Sequence, residues 1–380
     1  MNNLRLLATA AFGLEAVVSR EIKNLGFRQV QVEDGRVLFA AGPEAIAKAN
    51  LWLRSADRVQ LVLGEFEART FDELFEKTKA LPWEEWIPRD GEFPVQGKSV
   101  KSQLFSVPDC QAIVKKAVVE KLKQKYKVSW FEETGPLYPI QIALLKDKAT
   151  LTIDTSGTGL HKRGYRQGGG EAPLKETLAA ALVQLSHWQN KRLLLDPFCG
   201  SGTILIEAAL LGDNIAPGLT RRFAAEDWPV LGKDLWQDAR AEASAAIEDN
   251  PMLLQGSDLD GRVLSVARAN ADNAGVGNKI HFQRRALAEV RSSHKYGCVI
   301  CNPPYGERLG DEAGVQRLHR EMASVFAPWD TWSIYVLTSN PGFEKHFGRK
   351  ADKKRKLYNG RIKCDFYQFI GPPPPRREGP

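Results

Sequence analysis

The sequence of 380 residues has few cysteines and no long apolar run. Its five cysteines are scattered and odd in number, which argues against a disulfide framework and favours a reducing compartment. No stretch reaches the roughly 18 apolar residues of a transmembrane helix. The apolar N-terminus is interrupted by Glu15 and continues into a helical pattern, unlike a signal peptide. We therefore expect a cytoplasmic protein that does not enter a membrane.

Metal-ligating patterns are also scarce. Cys298 and Cys301 form a C-x-x-C pair, but they lie in the apolar run GCVIC, which is typical of a buried strand. Residues three apart on a strand point to opposite faces, so the pair is poorly placed to chelate an ion. Since no second Cys or His pair completes a zinc site, we predict no metal.

The overall composition is that of a soluble globular protein, with 43% apolar and 26% charged residues. A chain of this length usually forms two or three domains. The 53 basic residues exceed the 46 acidic ones and give a net charge of +7, which suits a polyanionic partner without requiring one.

The N-terminal half predicts two small α+β modules. Residues 1–66 show the order strand–helix–strand–strand–helix–strand, which indicates a ferredoxin-like module. Residues 67–158 follow with a helix over 71–79, a long helix over 111–126 with Asp109 as its expected N-cap, and two strands. These modules are expected to precede a third, larger domain.

The C-terminal half has a different pattern. After a glycine-rich, basic linker at 159–172, strands and helices alternate over residues 173–370 and end in a hairpin around Asn359-Gly360. This order predicts an α/β domain with a doubly wound, Rossmann-like sheet and a terminal antiparallel hairpin. Residues 371–380 are rich in proline and are expected to form a disordered tail.

A loop from Asp196 to Thr203, DPFCGSGT, connects a predicted strand to a predicted helix. Its glycines allow close approach of a ligand, and the start of the helix offers unpaired N–H groups. The loop has neither the ending of a P-loop nor the spacing of a dinucleotide fingerprint. Asp196 is placed to hold the ammonium group of a zwitterionic cofactor, although a simple strand-to-helix turn is the alternative.

The next strand ends near two further carboxylates. Asp258 lies nearer the strand end and is expected to accept both hydroxyls of a ribose, whereas Asp260 is expected to cap the following helix. The two roles can be exchanged. The third strand is followed by residues 283–287, which include no acidic residue, so recognition of an adenine amine stays open.

Asn302-Pro303-Pro304-Tyr305 follows a predicted buried strand. The Asn302 amide oxygen and the Pro303 carbonyl can each accept one N–H of an exocyclic base amine and aim its lone pair at a methyl donor. Because Asn302 is neutral, it acts by orientation and hydrogen bonding, not as a strong base. Tyr305 offers a ring on which a flipped base can stack. Asn302, Pro303 and Tyr305 are the candidate catalytic residues.

These features together resemble the class I S-adenosylmethionine-dependent methyltransferases with an N-terminal THUMP domain, and most closely the RlmL-type 23S rRNA guanine-N2 methyltransferases. The motifs that carry the resemblance are Leu160-His161-Lys162-Arg163-Gly164-Tyr165-Arg166, Ala172-Pro173-Leu174-Lys175-Glu176, the DPFCGSGT loop, Ile215-Ala216-Pro217-Gly218, Asn302-Pro303-Pro304-Tyr305-Gly306-Glu307-Arg308 and Tyr358-Asn359-Gly360.

The resemblance implies S-adenosylmethionine as cofactor, THUMP as an RNA-docking domain at 67–158 and a methyltransferase domain at 173–370. The implied cofactor contacts are Asp196, Phe198, Cys199, Gly200, Gly202, Thr203 and Asp258. Some relatives carry a second methyltransferase domain, and we expect that second activity to be absent here because the sequence stops at Pro380.

Basic segments are the candidate RNA contacts. Lys116 and Lys123 share one face of a helix within residues 98–127, which hold eight lysines and two acids. Residues 349–363 hold eight basic residues and one acid. Solvated surface charge is the simpler alternative for both. The remaining candidate phosphate contacts are His161, Lys162, Arg163 and Arg166.

The resemblance favours transfer of a methyl group to the exocyclic N2 amine of a guanine in 23S rRNA. A tRNA guanine-N2 methyltransferase, an adenine-N6 DNA methyltransferase and a catalytically inactive THUMP protein for RNA binding or assembly are the alternatives. The target nucleotide, the oligomeric state, and the choice between naked RNA and a ribosomal precursor stay open.

Overall fold

The computed structural model describes residues 3–166, 174–304 and 312–375. The chain divides into two compact units, each assembled from separate stretches of sequence. The first unit comprises Met1–Ala10, Val18–Leu160 and Gly218–Ala243, and the second comprises Ala11–Val17, His161–Pro217 and Ser244–Pro380.

The described part of the first unit forms one seven-stranded sheet in the order β2-β3-β1-β4-β7-β6-β5. Its strands are β1 Leu4–Ala10, β2 Val30–Glu33, β3 Arg36–Ala41, β4 Ala56–Glu67, β5 Val95–Val100, β6 Ile140–Leu145 and β7 Lys148–Asp154. Its helices are α1 Glu15–Asn24, whose first turn belongs to the second unit, α2 Glu44–Trp52, α3 Phe71–Lys79 and α4 Val107–Tyr126. The ferredoxin-like and THUMP parts share this sheet because the long strand β4 pairs with β1 on one side and β7 on the other.

Helix α4 begins earlier than expected. Ser106 occupies the N-cap position and Pro108 lies in the first turn, so the prediction that Asp109 is the N-cap is wrong. Proline is tolerated there because the first N–H groups of a helix have no intrahelical partner. Asp109 lies instead in the first turn, where its charge faces the positive end of the helix dipole.

The first unit also contains residues 218–243, which lie in sequence between elements of the second unit. Trp228 is 1% exposed and stacks on Tyr138 with ring centroids 4.7 Å apart, and its Nε1 donates to the carbonyl of Leu137 at 2.9 Å. Trp236 stacks on Phe223 at 5.4 Å. This segment therefore completes the core of the first unit.

The described part of the second unit forms a seven-stranded sheet in the order β10-β9-β8-β11-β12-β14-β13. Its strands are β8 Leu194–Asp196, β9 Leu254–Asp258, β10 Ile280–Arg284, β11 Cys298–Cys301, β12 Ser333–Thr338, β13 Lys353–Asn359 and β14 Ile362–Phe369. The helices that follow α4 are α5 Glu176–Leu185, α6 Thr203–Gly212, α7 Lys233–Ala245, which begins in the first unit, α8 Gly261–Asn273, α9 Glu312–Phe326 and α10 Phe343–Phe347. Short 3-10 helices lie at Trp83–Glu85, Ala224–Asp227, Pro229–Leu231, Gly277–Lys279 and Leu287–Glu289.

Strands β8 to β12 pair in parallel, β14 runs antiparallel to β12, and β13 runs antiparallel to β14. This arrangement confirms the predicted doubly wound sheet with a terminal antiparallel hairpin. Apolar cores cover both faces of the sheet: Cys298 packs in one core and Cys301 in the other. The two cysteines thus point to opposite faces, as their spacing predicts.

No group of three or more His, Cys, Asp or Glu side chains in residues 3–166, 174–304 and 312–375 is arranged to hold a metal ion. Within the same ranges, no helix has both the length and the apolar character required to cross a bilayer.

Candidate active site

Three polar side chains meet at the carboxyl edge of the second sheet. Asp196 ends β8, Asp258 ends β9, and Asn302 follows the last residue of β11. These strands are neighbours, in the order β9-β8-β11, and run in parallel. The three residues therefore share one edge of the sheet, which is where open α/β sheets bind their ligands.

The loop between β8 and α6 is fixed to β9 by backbone and side-chain hydrogen bonds. The Cys199 N–H donates to the Ser257 carbonyl at 3.0 Å, and the Gly200 N–H donates to Asp258 Oδ2 at 3.0 Å. The Gly202 N–H closes the turn by donating to the Cys199 carbonyl at 2.8 Å. The loop is thus held in place before any ligand arrives.

The two glycines of this loop have different constraints. Gly202 has φ +81°, and a Cβ there would lie 3.0 Å from the Phe282 ring. Gly200 has φ +50°, but the position of its missing Cβ faces open space, with no atom within 4 Å. Backbone without a side chain beside open space is what close approach of a cofactor requires. The loop and the first turn of α6 therefore fit the methionine part of S-adenosylmethionine.

Asp196 is a buried carboxyl group without a cationic partner in the described part of the chain. It is 1% exposed, and its Oδ1 accepts the Phe198 N–H at 3.1 Å. The pKa of Asp196 is raised from 3.8 to about 8, because burial, together with the nearby Asp258 charge, outweighs the Phe198 hydrogen bond, which lowers the pKa. A cofactor ammonium would supply the missing positive charge.

Asp258 uses both carboxylate oxygens to hold backbone. Oδ2 accepts the Gly200 N–H and Oδ1 accepts the Asp260 N–H, each at 3.0 Å. A carboxylate oxygen has two lone pairs, so each can still accept a ribose hydroxyl. Asp260 caps α8 by accepting the Arg262 N–H at 2.9 Å, which confirms the predicted N-cap.

The side chains of three other predicted cofactor contacts are largely buried within the second unit. Cys199 is 6% exposed, and burial raises the pKa of its thiol well above 9. Thr203 is 5% exposed, and its hydroxyl lies 3.3 Å from that of Ser201. Phe198 is partly buried against one of the two cores of the sheet. Their roles in cofactor binding stay predictions.

Asn302 has an unusual side chain for its position. Its Oδ1 is buried and has no hydrogen-bond partner among the described residues. Leaving a buried acceptor unsatisfied costs about 1–3 kcal/mol, so such an atom requires an explanation. Pro303 is also buried, and Tyr305 lies outside the described residues. A ligand N–H at this position would satisfy the Asn302 oxygen.

The segment that includes Arg163 has a structural role within the second unit. The Arg163 guanidinium is 3% exposed and forms an ion pair with Glu207, which is fully buried, with Nε–Oε1 3.3 Å. The Tyr165 hydroxyl donates to the same Oε1 at 3.1 Å. An arginine this deep in the unit cannot reach RNA phosphates in this conformation, so the prediction that Arg163 binds RNA is wrong.

Arg166 stabilises the start of α6. Its Nε donates to Glu176 at 2.8 Å and its Nη2 donates to the Thr203 hydroxyl at 3.0 Å. Only 15% of its side chain is exposed, so these contacts favour a positioning role over RNA contact. His161 and Lys162 lie nearer the surface and stay predicted RNA contacts. The one signal for this network in the sequence is an acidic residue, Glu207, within the otherwise apolar helix α6.

Arg163→Met is expected to lower the free energy of unfolding by about 3–5 kcal/mol, because it leaves the Glu207 charge buried without its guanidinium. The double variant Arg163→Met/Glu207→Gln removes both charges and should regain much of the loss. Urea titration followed by circular dichroism measures both. Unchanged stability of Arg163→Met together with weaker RNA binding would restore the phosphate-contact role.

The lysines of α4 are partly neutralised in the first unit. Lys116 is exposed, with its Nζ 5.7 Å from the Phe75 ring centroid. Lys123 pairs with Glu120 at 3.1 Å. Lys116 and Lys123 stay predicted RNA contacts, of which Lys116 is the more accessible.

Comparison with protein families and known proteins gives a consistent assignment. Three family models match the chain: an RlmL ferredoxin-like domain over residues 5–60, a THUMP domain over 68–154, and an RMKL-like methyltransferase domain over 163–368. Together they follow the order of the predicted modules.

Relatives match along nearly the whole chain. A protein of Bacillus subtilis (strain 168) named "Putative RNA methyltransferase YpsC" is 54% identical over 100% of this chain and 99% of its own. A crystal structure of a predicted N6-adenine-specific DNA methylase from Listeria monocytogenes str. 4b F2365 is 54% identical, with TM-score 0.93, over 98% of this chain and 97% of that one. SMU.472, described as "a putative methyltransferase complexed with SAH", is 49% identical, with TM-score 0.94, over 99% and 100%.

The sheet order, the loop after β8 and these matches agree with one another. SMU.472 was crystallised with S-adenosylhomocysteine, the product left after methyl transfer, and the family uses S-adenosylmethionine. The chain therefore belongs to the RMKL-like methyltransferases that carry RlmL ferredoxin-like and THUMP domains, and its cofactor is S-adenosylmethionine.

Proposed function

We propose that this protein is an RNA methyltransferase that transfers a methyl group from S-adenosylmethionine to the exocyclic N2 amine of a guanine in 23S rRNA. The observation that carries the proposal is the buried, unpartnered Oδ1 of Asn302 at the carboxyl edge of the sheet. The THUMP match and the name of the Bacillus relative support RNA, and the RlmL ferredoxin-like match supports the 23S guanine.

The proposed mechanism addresses the low nucleophilicity of a purine amine. Its lone pair is delocalised into the ring, so the nitrogen is a weak nucleophile. When Asn302 Oδ1 and the Pro303 carbonyl accept hydrogen bonds from the two N–H groups of the amine, the nitrogen moves towards tetrahedral geometry. Its lone pair then points away from the two acceptors. Bound S-adenosylmethionine supplies a methyl group on a positively charged sulfur. Both acceptors are neutral and act by orientation.

The other two candidate residues, Asp196 and Asp258, would hold the cofactor and would not contact the reacting nitrogen. Asp196 would pair with the cofactor ammonium, and Asp258 would accept the ribose hydroxyls while keeping Gly200 in place. Since β8, β9 and β11 are adjacent, the methyl donor and Asn302 belong to neighbouring strand ends. After transfer, the methylated nitrogen loses one proton to solvent, because neither acceptor is a strong base.

The test is methyl transfer from tritiated S-adenosylmethionine to bulk 23S rRNA, bulk tRNA and DNA, followed by nucleoside analysis. We expect label in rRNA, recovered as N2-methylguanosine. Naked 23S rRNA and intact large subunits should be compared in parallel, since either can be the natural substrate.

Each other result has a defined meaning. Label confined to tRNA would support the tRNA guanine-N2 alternative, and N6-methyladenosine in DNA would support the DNA alternative. If none of the three substrates becomes labelled although the protein binds S-adenosylhomocysteine normally, the result would favour an inactive RNA-binding protein. Any of these outcomes would overturn the proposal.

A further inference from the structure

The hairpin formed by β13 and β14 brings its turn to the same edge of the sheet as Asn302. Strand β12 runs parallel to β11, β14 runs antiparallel to β12, and β13 runs antiparallel to β14. The carboxyl end of β13, at Asn359, therefore lies on the edge where β11 ends. Three strand spacings separate β13 from β11, or about 14 Å at the usual distance between strands.

Three basic side chains lie near this turn. Lys356, Arg361 and Lys363 are exposed, and none forms an ion pair among the described residues. Asp365 is the acid that faces them, since it lies opposite Lys356 in the strand register. It already pairs with Lys354 at 3.2 Å, so a net positive charge remains at the end of the hairpin.

Two aromatic rings lie beside these charges. Phe12 is 51% exposed and contacts Tyr358 edge to face, with centroids 5.9 Å apart and an interplanar angle of 83°. Tyr358 lies opposite Lys363 in the hairpin register. We call Phe12, Tyr358, Lys356, Arg361 and Lys363 the tip surface.

Phe12 is held against the hairpin by its neighbours. Gly13 has φ +91°, and a Cβ there would lie 2.5 Å from the Lys356 carbonyl, so the close approach to β13 requires glycine. Leu14 and Val17 are buried in the same core as Leu357. The exposed ring is therefore fixed in position, which reduces the entropy lost when a ligand stacks on it.

We propose that the tip surface binds the single-stranded RNA that adjoins the target nucleotide. An exposed, fixed aromatic ring beside cations that form no ion pair among the described residues is the combination that binds single strands, through base stacking and phosphate contact. Its place on the edge that carries Asn302 suits an RNA strand that delivers one base to Asn302 and stacks a neighbouring base on Phe12. The inference rests on the proposed function for the identity of the RNA, but not for the binding itself.

The test compares charge-matched pairs in the full chain. Lys356→Gln/Lys363→Gln removes two charges at the tip, and Lys350→Gln/Lys353→Gln removes two near the opposite end of β13. Fluorescence anisotropy with a labelled 20-nucleotide single-stranded RNA should show about tenfold weaker binding for the tip pair and less than about twofold for the control pair. The slope of log Kd against log salt should fall by about 1.4 for the tip pair only.

The aromatic contact has its own pair of variants. Phe12→Leu should weaken single-stranded RNA binding about fivefold, whereas Phe12→Trp should keep it, because stacking depends on a ring. Affinity for S-adenosylhomocysteine and the melting temperature should stay unchanged in all variants. In methylation assays the same variants should raise KM for RNA and leave kcat unchanged.

Equal weakening by both lysine pairs would show a general charge effect and overturn the inference, as would equal binding by Phe12→Leu and Phe12→Trp. The proposed function fails separately. If the wild type methylates tRNA or DNA, yet the tip variants alone still lose affinity for single-stranded RNA, the tip surface stands and the rRNA assignment falls.

Discussion

Asn302→Ala should lower the rate of methyl transfer at least about a hundredfold and leave the affinity for S-adenosylhomocysteine within about twofold. The reason is that Oδ1 has no other partner among the described residues, so its loss removes an interaction made with the reacting amine and little else. Single-turnover methylation and calorimetric titration with S-adenosylhomocysteine measure the two quantities.

A matched control lies beyond the end of the neighbouring strand. Asn340 follows β12, but its Oδ1 already accepts the Gly342 N–H at 2.7 Å. Asn340→Ala should therefore lower the melting temperature slightly and leave the methylation rate nearly unchanged. Similar rates for both variants, or loss of S-adenosylhomocysteine binding in Asn302→Ala, would contradict the role assigned to Asn302.

Asp196→Asn should weaken cofactor binding about a hundredfold, since it removes the one charge expected to face the ammonium in a buried site. The variant keeps an oxygen that can accept the Phe198 N–H, so the loop should keep its shape. Asp260→Asn is the control, because Asp260 is exposed and its side chain caps α8 and pairs with Arg262 at the protein surface.

The pH dependence follows from the pKa of about 8 that burial gives Asp196. Below pH 8 the free protein holds this carboxyl protonated, whereas pairing with an ammonium requires it ionised. Binding must then release a proton, and affinity should rise with pH up to about 8 and level off. At pH 7, titrations in two buffers of different ionisation enthalpy should show close to one proton released by the wild type and none by Asp196→Asn.

The raised pKa of Asp196 also makes the stability of the ligand-free protein depend on pH. Stability falls as pH rises, whereas cofactor affinity increases. The folded pKa of Asp196 lies above its ordinary value of 3.8, so its contribution is fully present below pH 3.8 and is lost between about pH 4 and pH 8. Asp196→Asn does not titrate, and its ligand-free melting temperature should exceed that of the wild type by an amount that grows from pH 5 to pH 8. A constant difference across this range would contradict the raised pKa.

Features that depend on neighbouring residues could be predicted from the sequence. Asn359-Gly360 marks a hairpin turn, and this turn does connect β13 to β14. The meeting of Asp196, Asp258 and Asn302 also follows from local patterns, because carboxyl ends of parallel strands share one edge. Helix α5 gives no such signal, since eight of its ten residues are buried and its apolar pattern has no polar face.

Features set by distant partners could not be predicted. Arg163 belongs to a basic segment, and nothing near it in sequence points to Glu207, which is 44 residues away. Residues 218–243 lie between strands of the methyltransferase, and only the three-dimensional packing of Trp228 and Trp236 places them in the first unit. The unpartnered Asn302 oxygen likewise required the structure.

A nascent chain cannot finish its first unit until residue 243 has been synthesised. When Tyr138 leaves the ribosome, its stacking partner Trp228 has not yet been synthesised. Elements α5, β8 and α6 of the second unit emerge before Trp228 does. At about 5–20 residues per second, the core of the first unit waits several seconds for its last segment. The two units therefore mature in an interleaved order during translation, and neither can be released as a finished piece by a single cut in the chain.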